Sequence, residues 1–116
     1  MTLETWGVFA LASNRFQIEA RGWSEAMSHE TPDLAAIVSG YLDSGDRLVA
    51  VLRSADVLPG VVRTYTSETE GIRASLEEGR FVTVTPRSLR LVLELGVAMH
   101  ELGTKVFAFV KANDPR

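Results

Sequence analysis

Residues 6–21, WGVFALASNRFQIEAR, determine which fold class this sequence is assigned to. Within them, every second residue from Phe16 to Ala20 is apolar and the residues between are polar, which is the period of a half-buried strand. The apolar run 6–12 is typical of a second strand. Ser13 and Asn14 separate the two runs as a two-residue turn, because Asn tolerates the left-handed conformation that such turns need. The stretch therefore predicts an antiparallel hairpin at the N-terminus.

Strands and helices alternate along the rest of the chain. Thr31, Pro32 and Asp33 predict a helix start, because Thr can cap free amides and Pro suits the first turn. Gly45 predicts the end of that helix. The unbroken apolar run Leu48–Leu52 is typical of a central strand covered on both faces. Further strands are predicted at 61–66, 81–85 and 106–110, and further helices at 67–78 and 86–102, which end at Gly79 and Gly103.

This order of elements predicts the fold class and the domain organisation. Strand–helix–strand units with right-handed crossovers make the later strands parallel, and the hairpin adds antiparallel neighbours. A chain of 116 residues has room for one core. The expected architecture is a single α+β domain over residues 1–116, in which about three helices pack on a mixed β-sheet with an N-terminal antiparallel hairpin.

Composition and charge exclude several classes of protein. Hydrophobic residues make up 46% of the chain and charged residues 23%, both near globular averages. The chain has no cysteine, which excludes disulfides and thiolate metal sites and makes the cytoplasm the expected location. No apolar stretch approaches the ~18 residues of a membrane span. The net charge is −3 and the arginines are scattered singly, so nucleic acid is not an expected partner, and no metal or cofactor is expected.

The start of the helix predicted at 86–102 is the first candidate binding site. Thr85 can cap this helix, and its first-turn amides, the Arg87 charge and the Ser88 hydroxyl all favour an anion there. In parallel sheets, ligands bind beyond the carboxyl ends of the strands. This rule brings Arg53 and Ser54, which follow the predicted central strand, to the same place. The sequence therefore predicts that these five residues bind a small anionic ligand.

Glu94 is the second candidate, as a catalytic residue. Residues 93–98, LELGVA, are followed by Gly103, Lys105 and a hydrophobic strand. This segment resembles one in the nucleoside deoxyribosyltransferases and related TIR-like domains, whose helix carries a nucleophilic or catalytic Glu before a Gly. The resemblance implies a catalytic role for Glu94, although those families have acidic and glycine residues upstream, where this chain has Thr85 and Pro86.

Both ionisable residues of this helix also have structural interpretations. Glu94 and Arg90 are four residues apart and can form a surface ion pair. His100 falls in the apolar arc of the helix, where it is either a core histidine bonded to a carbonyl or a buried general base. His29 is the only other histidine, so the sequence predicts no histidine metal site.

Three functions from different classes fit these features. The first is a domain that acts by binding, either to a second copy of itself or to a small anionic ligand. The second is an enzyme acting on a nucleotide-like or phosphorylated small molecule, with Glu94 in its site, and the third is a protein–protein interaction module. A homodimer is the expected assembly, because strand 6–12 has no charged residue or Pro to discourage pairing at an open sheet edge. Trp6 and Trp23 are natural anchors for such an interface.

Overall fold

The computed structural model describes all 116 residues, as four α-helices without any strand. The helices are α1 (Leu3–Ala26), α2 (Leu34–Ala55), α3 (Pro59–Glu77) and α4 (Pro86–Ala112). The predicted α+β fold, with its mixed sheet, its hairpin and about three helices packed on it, is therefore wrong: the chain is all-helical. None of the four helices is both long enough and apolar enough to cross a membrane.

α1 runs unbroken through the predicted hairpin because its inward side chains repeat at alternate spacings of three and four residues, the heptad pattern of packed helices. Phe16 is 3% exposed and Ile18 is 60% exposed, so two residues that would share one face of a strand lie on different sides of a helix. The Thr2 side chain caps α1 by accepting a hydrogen bond from the Thr5 amide at 3.1 Å. The inward face consists of Trp6, Phe9, Ser13, Phe16, Ala20, Trp23 and Met27.

The predicted central strand Leu48–Leu52 lies inside α2, which is buried along most of its length. Ala50 is exposed in the middle of this run, as a helix requires and a doubly covered strand does not. Gly45 does not end the helix. It is the position where Tyr65 of α3 packs against the α2 backbone, and a Cβ there would lie 2.5 Å from the Tyr65 hydroxyl oxygen. Glycine at this position therefore serves close packing between two helices.

α3 contains residues that the sequence divides between a strand at 61–66 and a helix from Ser67. It begins at Pro59, a residue suited to the first turn of a helix. Gly79 follows its end as predicted, with a left-handed φ of 76°. The strand predicted at 81–85 is irregular chain that connects α3 to α4. The buried residues of α3 are Val62, Tyr65, Thr69 and Ile72.

α4 begins at Pro86 as predicted, but it continues past Gly103 and through the predicted strand 106–110. At Gly103 the Phe16 ring of α1 packs against the α4 backbone, 3.0 Å from the position that a Cβ would take. Gly103 therefore has the role that Gly45 has in α2. Both glycines allow an aromatic ring from a neighbouring helix to approach, and neither ends its helix.

Helices that follow one another in the chain are antiparallel, and so are the first and last helices, α1 and α4. Trp6 near the start of α1 donates its indole N–H to the Val110 carbonyl near the end of α4, at 2.6 Å, while Phe16 lies against Gly103. The same reversal relates α2 to α1 and to α3. α2 and α4 consequently run parallel, and they contact each other and both outer helices, whereas α1 and α3 do not contact each other. The resulting Cα envelope is flat, with extents of 47 × 25 × 16 Å.

A polar network ties α3 to α2. The Tyr65 hydroxyl donates a hydrogen bond to Asp46 Oδ1 at 2.6 Å, and Arg73 donates to Asp46 Oδ2 at 2.9 Å. Partial burial opposes ionisation, but the hydrogen bonds from Arg73 and Tyr65 lower the pKa of Asp46 below its usual value. Burial, together with the bond to this carboxylate, raises the pKa of the Tyr65 phenol. Asp46 is therefore a carboxylate, and Tyr65 a hydrogen-bond donor, at neutral pH.

The basis of the predicted homodimer is wrong, because residues 6–12 belong to α1 and there is no open sheet edge. Trp6 is half-buried and donates its hydrogen bond to Val110 within the chain. Trp23 packs against Gly40 of α2, where a Cβ would overlap its ring. Both tryptophans therefore serve internal packing.

Candidate functional site: the groove between α1 and α4

The predicted anion site at the start of α4 is occupied by the helix's own capping box. The Ser88 amide donates to the Thr85 hydroxyl oxygen at 3.1 Å, and the Thr85 amide donates to the Ser88 hydroxyl oxygen at 2.8 Å. Ser88 is 2% exposed, and its hydroxyl also reaches the Thr83 carbonyl at 3.1 Å. Arg87 is exposed beside them. Anion binding by these residues stays a prediction, and their present contacts are those of a helix cap.

Arg53 and Ser54 do not join this site. They lie in the last turn of α2, and because α2 and α4 are parallel this turn is at the far end of the bundle from Thr85. α4 alone spans ~40 Å at 1.5 Å per residue. Arg53 donates a hydrogen bond to the Thr66 hydroxyl at 3.1 Å, and Ser54 lies beside Thr5 and residues of α2. The rule that placed them together applies to parallel strands, and the chain has none.

Glu94 and His100 both lie on the surface of α4. Glu94 is exposed and forms no ion pair with Arg90 or any other residue. The hydrophobic strand that follows the helix in the deoxyribosyltransferase-like pattern is helical here, so the structural context of the resemblance is absent. His100 is exposed, which differs from both sequence interpretations of a buried histidine. It lines a groove.

This groove, which we call the α1/α4 groove, has a volume of about 480 Å³ and runs along the outer side of the junction between the two helices. Its floor is apolar and aromatic, and its walls carry hydroxyl, amide, guanidinium and imidazole groups. The lining residues are Phe16, Gln17, Ala20, Arg21, Ser24, Tyr41, Gly96, Met99, His100, Gly103, Thr104 and Phe107.

The charge of the α1/α4 groove has one sign. Arg21 and His100 line it, and no Asp or Glu does, although the chain as a whole carries a net charge of −3. Neither side chain makes an ion pair or a hydrogen bond within the chain, in contrast to Arg47 and Arg73, which bind carboxylates. Their donor groups are therefore available to an anion in the groove.

Tyr41 of α2 also lines the α1/α4 groove. Its side chain is 7% exposed, and burial raises the pKa of its phenol, with the neighbouring Ser24 hydroxyl offsetting part of the rise. The phenol therefore stays protonated at neutral pH and presents a neutral donor. Tyr41, Ser24 and Thr104 add hydroxyl donors beside Arg21 and His100.

Glycine residues give the groove its depth. A Cβ at Gly96 would meet no atom within 4 Å, so the missing side chain leaves open space on the groove side of α4. Gly103, one heptad further on, admits the Phe16 ring that forms part of the floor. Larger residues at these two positions would fill the groove or push α1 away from α4.

Sequence reasoning missed most of the groove residues. It assigned Arg21 to the N-terminal hairpin and gave it no role, because a groove between two helices exists only once both helices are recognised. The sequence does contain a pattern that indicates the groove. Between residues 6 and 27, the inward residues of α1 recur at heptad spacing, and Gln17, Arg21 and Ser24 recur at the same spacing along the flank of that helix.

The α1/α4 groove combines polar donors with apolar surface. The Arg21 guanidinium, the His100 imidazole and several hydroxyls beside buried apolar side chains suit a molecule with an anionic group and an apolar body. His100 has no hydrogen bond to a hydroxyl or carboxyl group, so the groove contains no preassembled pair of nucleophile and base. No group of three or more His, Asp or Glu side chains is placed to hold a metal ion. Comparison with protein-family models, with curated proteins and with solved structures finds no match to this chain.

Proposed function

We propose that this protein is a small-molecule binding domain that takes an amphipathic anion in the α1/α4 groove. One observation carries the proposal: Arg21 and His100 lie together in a groove without any carboxylate, on an acidic chain, and neither has a partner of its own. A volume of about 480 Å³ is within the usual range of ligand sites, roughly 300 to 1,000 Å³.

The groove orients such a ligand by its chemistry. The anionic group, a carboxylate, sulfonate or phosphate, binds between Arg21 and His100, and the Tyr41 phenol adds a neutral donor. The apolar part of the ligand lies along Phe16, Met99 and Phe107. This proposal keeps the small anionic ligand predicted from the sequence and moves it from the start of α4 to the middle of that helix.

The enzymatic alternative has no observation in its favour. Glu94 is not among the residues that line the α1/α4 groove, and it is exposed without a partner. We therefore place binding before catalysis. The cytoplasm remains the proposed location, since a chain without cysteine is compatible with a reducing compartment.

Titration with 8-anilinonaphthalene-1-sulfonate, an aromatic sulfonate that fluoresces in apolar sites, tests the proposal. We expect the parent to bind it and R21Q to bind about tenfold more weakly, because a hydrogen bond to a charged group contributes ~1.5 to 3 kcal/mol and solvent exposure lowers that value. R63Q, an exposed arginine of α3 outside the groove, is the matched control and should bind as the parent does.

Two further measurements locate the site. Decanoate should displace the dye and the neutral decanol should not, since only the first presents an anion to Arg21. G96L should abolish binding while the chain stays folded, because its side chain enters open space in the groove. Equal affinity of the parent and R21Q, or an equal loss in R63Q, would show that the dye binds elsewhere and would refute the proposal.

A further inference from the structure

A second apolar surface lies on the outer side of α1, away from the α1/α4 groove. Val8, Leu11 and Ile18 are 55%, 62% and 60% exposed. Glu4 and Arg15 lie between them in the sequence, are exposed, and form no ion pair within the chain. Glu4, Val8, Leu11, Arg15 and Ile18 follow one another at spacings of four, three, four and three, so they form one straight line on the helix, which we call the α1 seam.

The α1 seam is complementary to itself when it is read in the opposite direction. If two α1 helices pack antiparallel about a two-fold axis between positions 9 and 10, Val8 faces the partner's Leu11. In that same register, Glu4 faces the partner's Arg15. The symmetry produces each contact twice, giving two apolar pairs at the centre flanked by two ion pairs. One register thus pairs Val8 with Leu11 and Glu4 with Arg15, while Ile18 lies beyond the ion pair, opposite the partner's N-terminus.

From this complementarity we infer that the α1 seam binds a second copy of this chain, as an antiparallel α1–α1 dimer. The charges of Glu4 and Arg15 determine which partner fits the α1 seam. A partner helix must present a basic residue to Glu4 and an acidic residue to Arg15, with apolar residues between them, and α1 itself carries that pattern. The dimer keeps the assembly predicted from the sequence and replaces its physical basis.

A cavity beside the seam provides a place for the partner's side chains. It has a volume of about 400 Å³ and lies between the first half of α1 and the last turns of α2. Val8 forms one wall, and small residues of α2, including Ala50 and Ala55, form the other. In the antiparallel register, the partner's Leu11 faces Val8 at the mouth of this cavity and can enter it. The cavity increases the apolar area that the dimer buries beyond that of a single line of side chains.

The size of the surface predicts a weak dimer. Stable interfaces of standard size bury about 1,600 Å², and a seam of five side chains with one cavity falls below that. We therefore expect a dissociation constant of roughly tens of micromolar, a value typical of small interfaces. Arg21 and Ser24, which line the α1/α4 groove, lie on the other flank of α1, so dimerisation leaves the groove open.

Sedimentation equilibrium of the full chain over a wide concentration range tests the dimer. We expect the mass to rise with concentration from 12.7 kDa towards twice that value. R15E and E4R should each raise the dissociation constant about tenfold or more, because each places like charges together at two symmetric positions. The double variant E4R/R15E exchanges the two charges and should restore dimerisation to within about threefold of the parent.

The control for R15E is R63E, which makes the same change of net charge on α3 and should not alter the dissociation constant. Circular dichroism checks that each variant remains helical, as expected because the substituted residues are exposed. A mass that stays at 12.7 kDa up to several hundred micromolar would overturn the proposal. A double variant that associates no better than the folded single variants would overturn it as well, since no other register restores both pairs.

Discussion

Substituting Gly45 by Ala tests the packing of α2 against α3 directly. A Cβ at this position would lie 2.5 Å from the Tyr65 hydroxyl oxygen and 2.8 Å from Cε2 of its ring. Tyr65 is 4% exposed and is held by Asp46 and Arg73, so it cannot turn away without giving up those contacts. Overpacking costs ~1 to 3 kcal/mol, and weakening a partly exposed hydrogen bond costs about 1 kcal/mol. Replacing a helical Gly by Ala returns about 1 kcal/mol.

We therefore expect G45A to lower the free energy of unfolding by about 1 to 3 kcal/mol, measured by urea denaturation followed by far-ultraviolet circular dichroism. Gly71 of α3 is the matched control, because a Cβ there meets no atom within 4 Å and G71A should stabilise the chain by ~0.5 to 1 kcal/mol. Combining G45A with Y65F removes the nearest clashing atom, so the two substitutions should be coupled by at least ~0.5 kcal/mol. Equal stability of G45A and G71A would refute the close approach of Tyr65.

Three further outcomes are expected. L95A should cost ~2 to 5 kcal/mol in the free energy of unfolding because Leu95 is 0% exposed, whereas L93A should change it by less than ~0.5 kcal/mol because Leu93 is 65% exposed; urea denaturation compares the two. The pKa of Asp46 is lower in the folded state than in the unfolded state, so the stability that Asp46 contributes is complete above the unfolded pKa and is lost as the pH falls through the folded pKa. The free energy of unfolding of D46N should therefore fall less than that of the parent between neutral pH and about pH 2. E94A should leave the urea midpoint nearly unchanged, as Glu94 is exposed and makes no ion pair, and a large shift would contradict this.

The starts and ends of elements could be predicted from the sequence where local chemistry determines them. Thr85 caps α4 and Pro86 begins it, and Gly79 follows the end of α3, because caps and left-handed glycines depend on a few neighbouring residues. Gly45 and Gly103 gave the wrong result under the same rule. Each of these glycines makes room for an aromatic ring from another helix, and a local sequence pattern does not contain that ring.

The sequence predicted a strand in place of a helix where both periodicities fit the same short stretch. Phe16, Ile18 and Ala20 alternate as in a strand, and over these five residues that period competes with the helical one. Over the longer span from Trp6 to Met27 only the heptad spacing persists, and it outweighs the β-favouring residues within it. Arg53 and Ser54 were assigned to the predicted anion site by a rule for parallel strands, which does not apply to a helical chain. Arg21 received no role because it acquires neighbours from α4 only in the folded chain.

The absence of contact between α1 and α3 has a consequence for how the native state opens. Each outer helix packs on the same central pair, α2 and α4, so either can detach while the contacts of the other persist. Native-state hydrogen exchange should accordingly resolve two independent partial openings, with the amides of α2 and α4 exchanging last. An anion bound between α1 and α4 would slow exchange in α1 and leave the rates in α3 unchanged, so α1 would report on ligand binding and α3 only on its own detachment from the central pair.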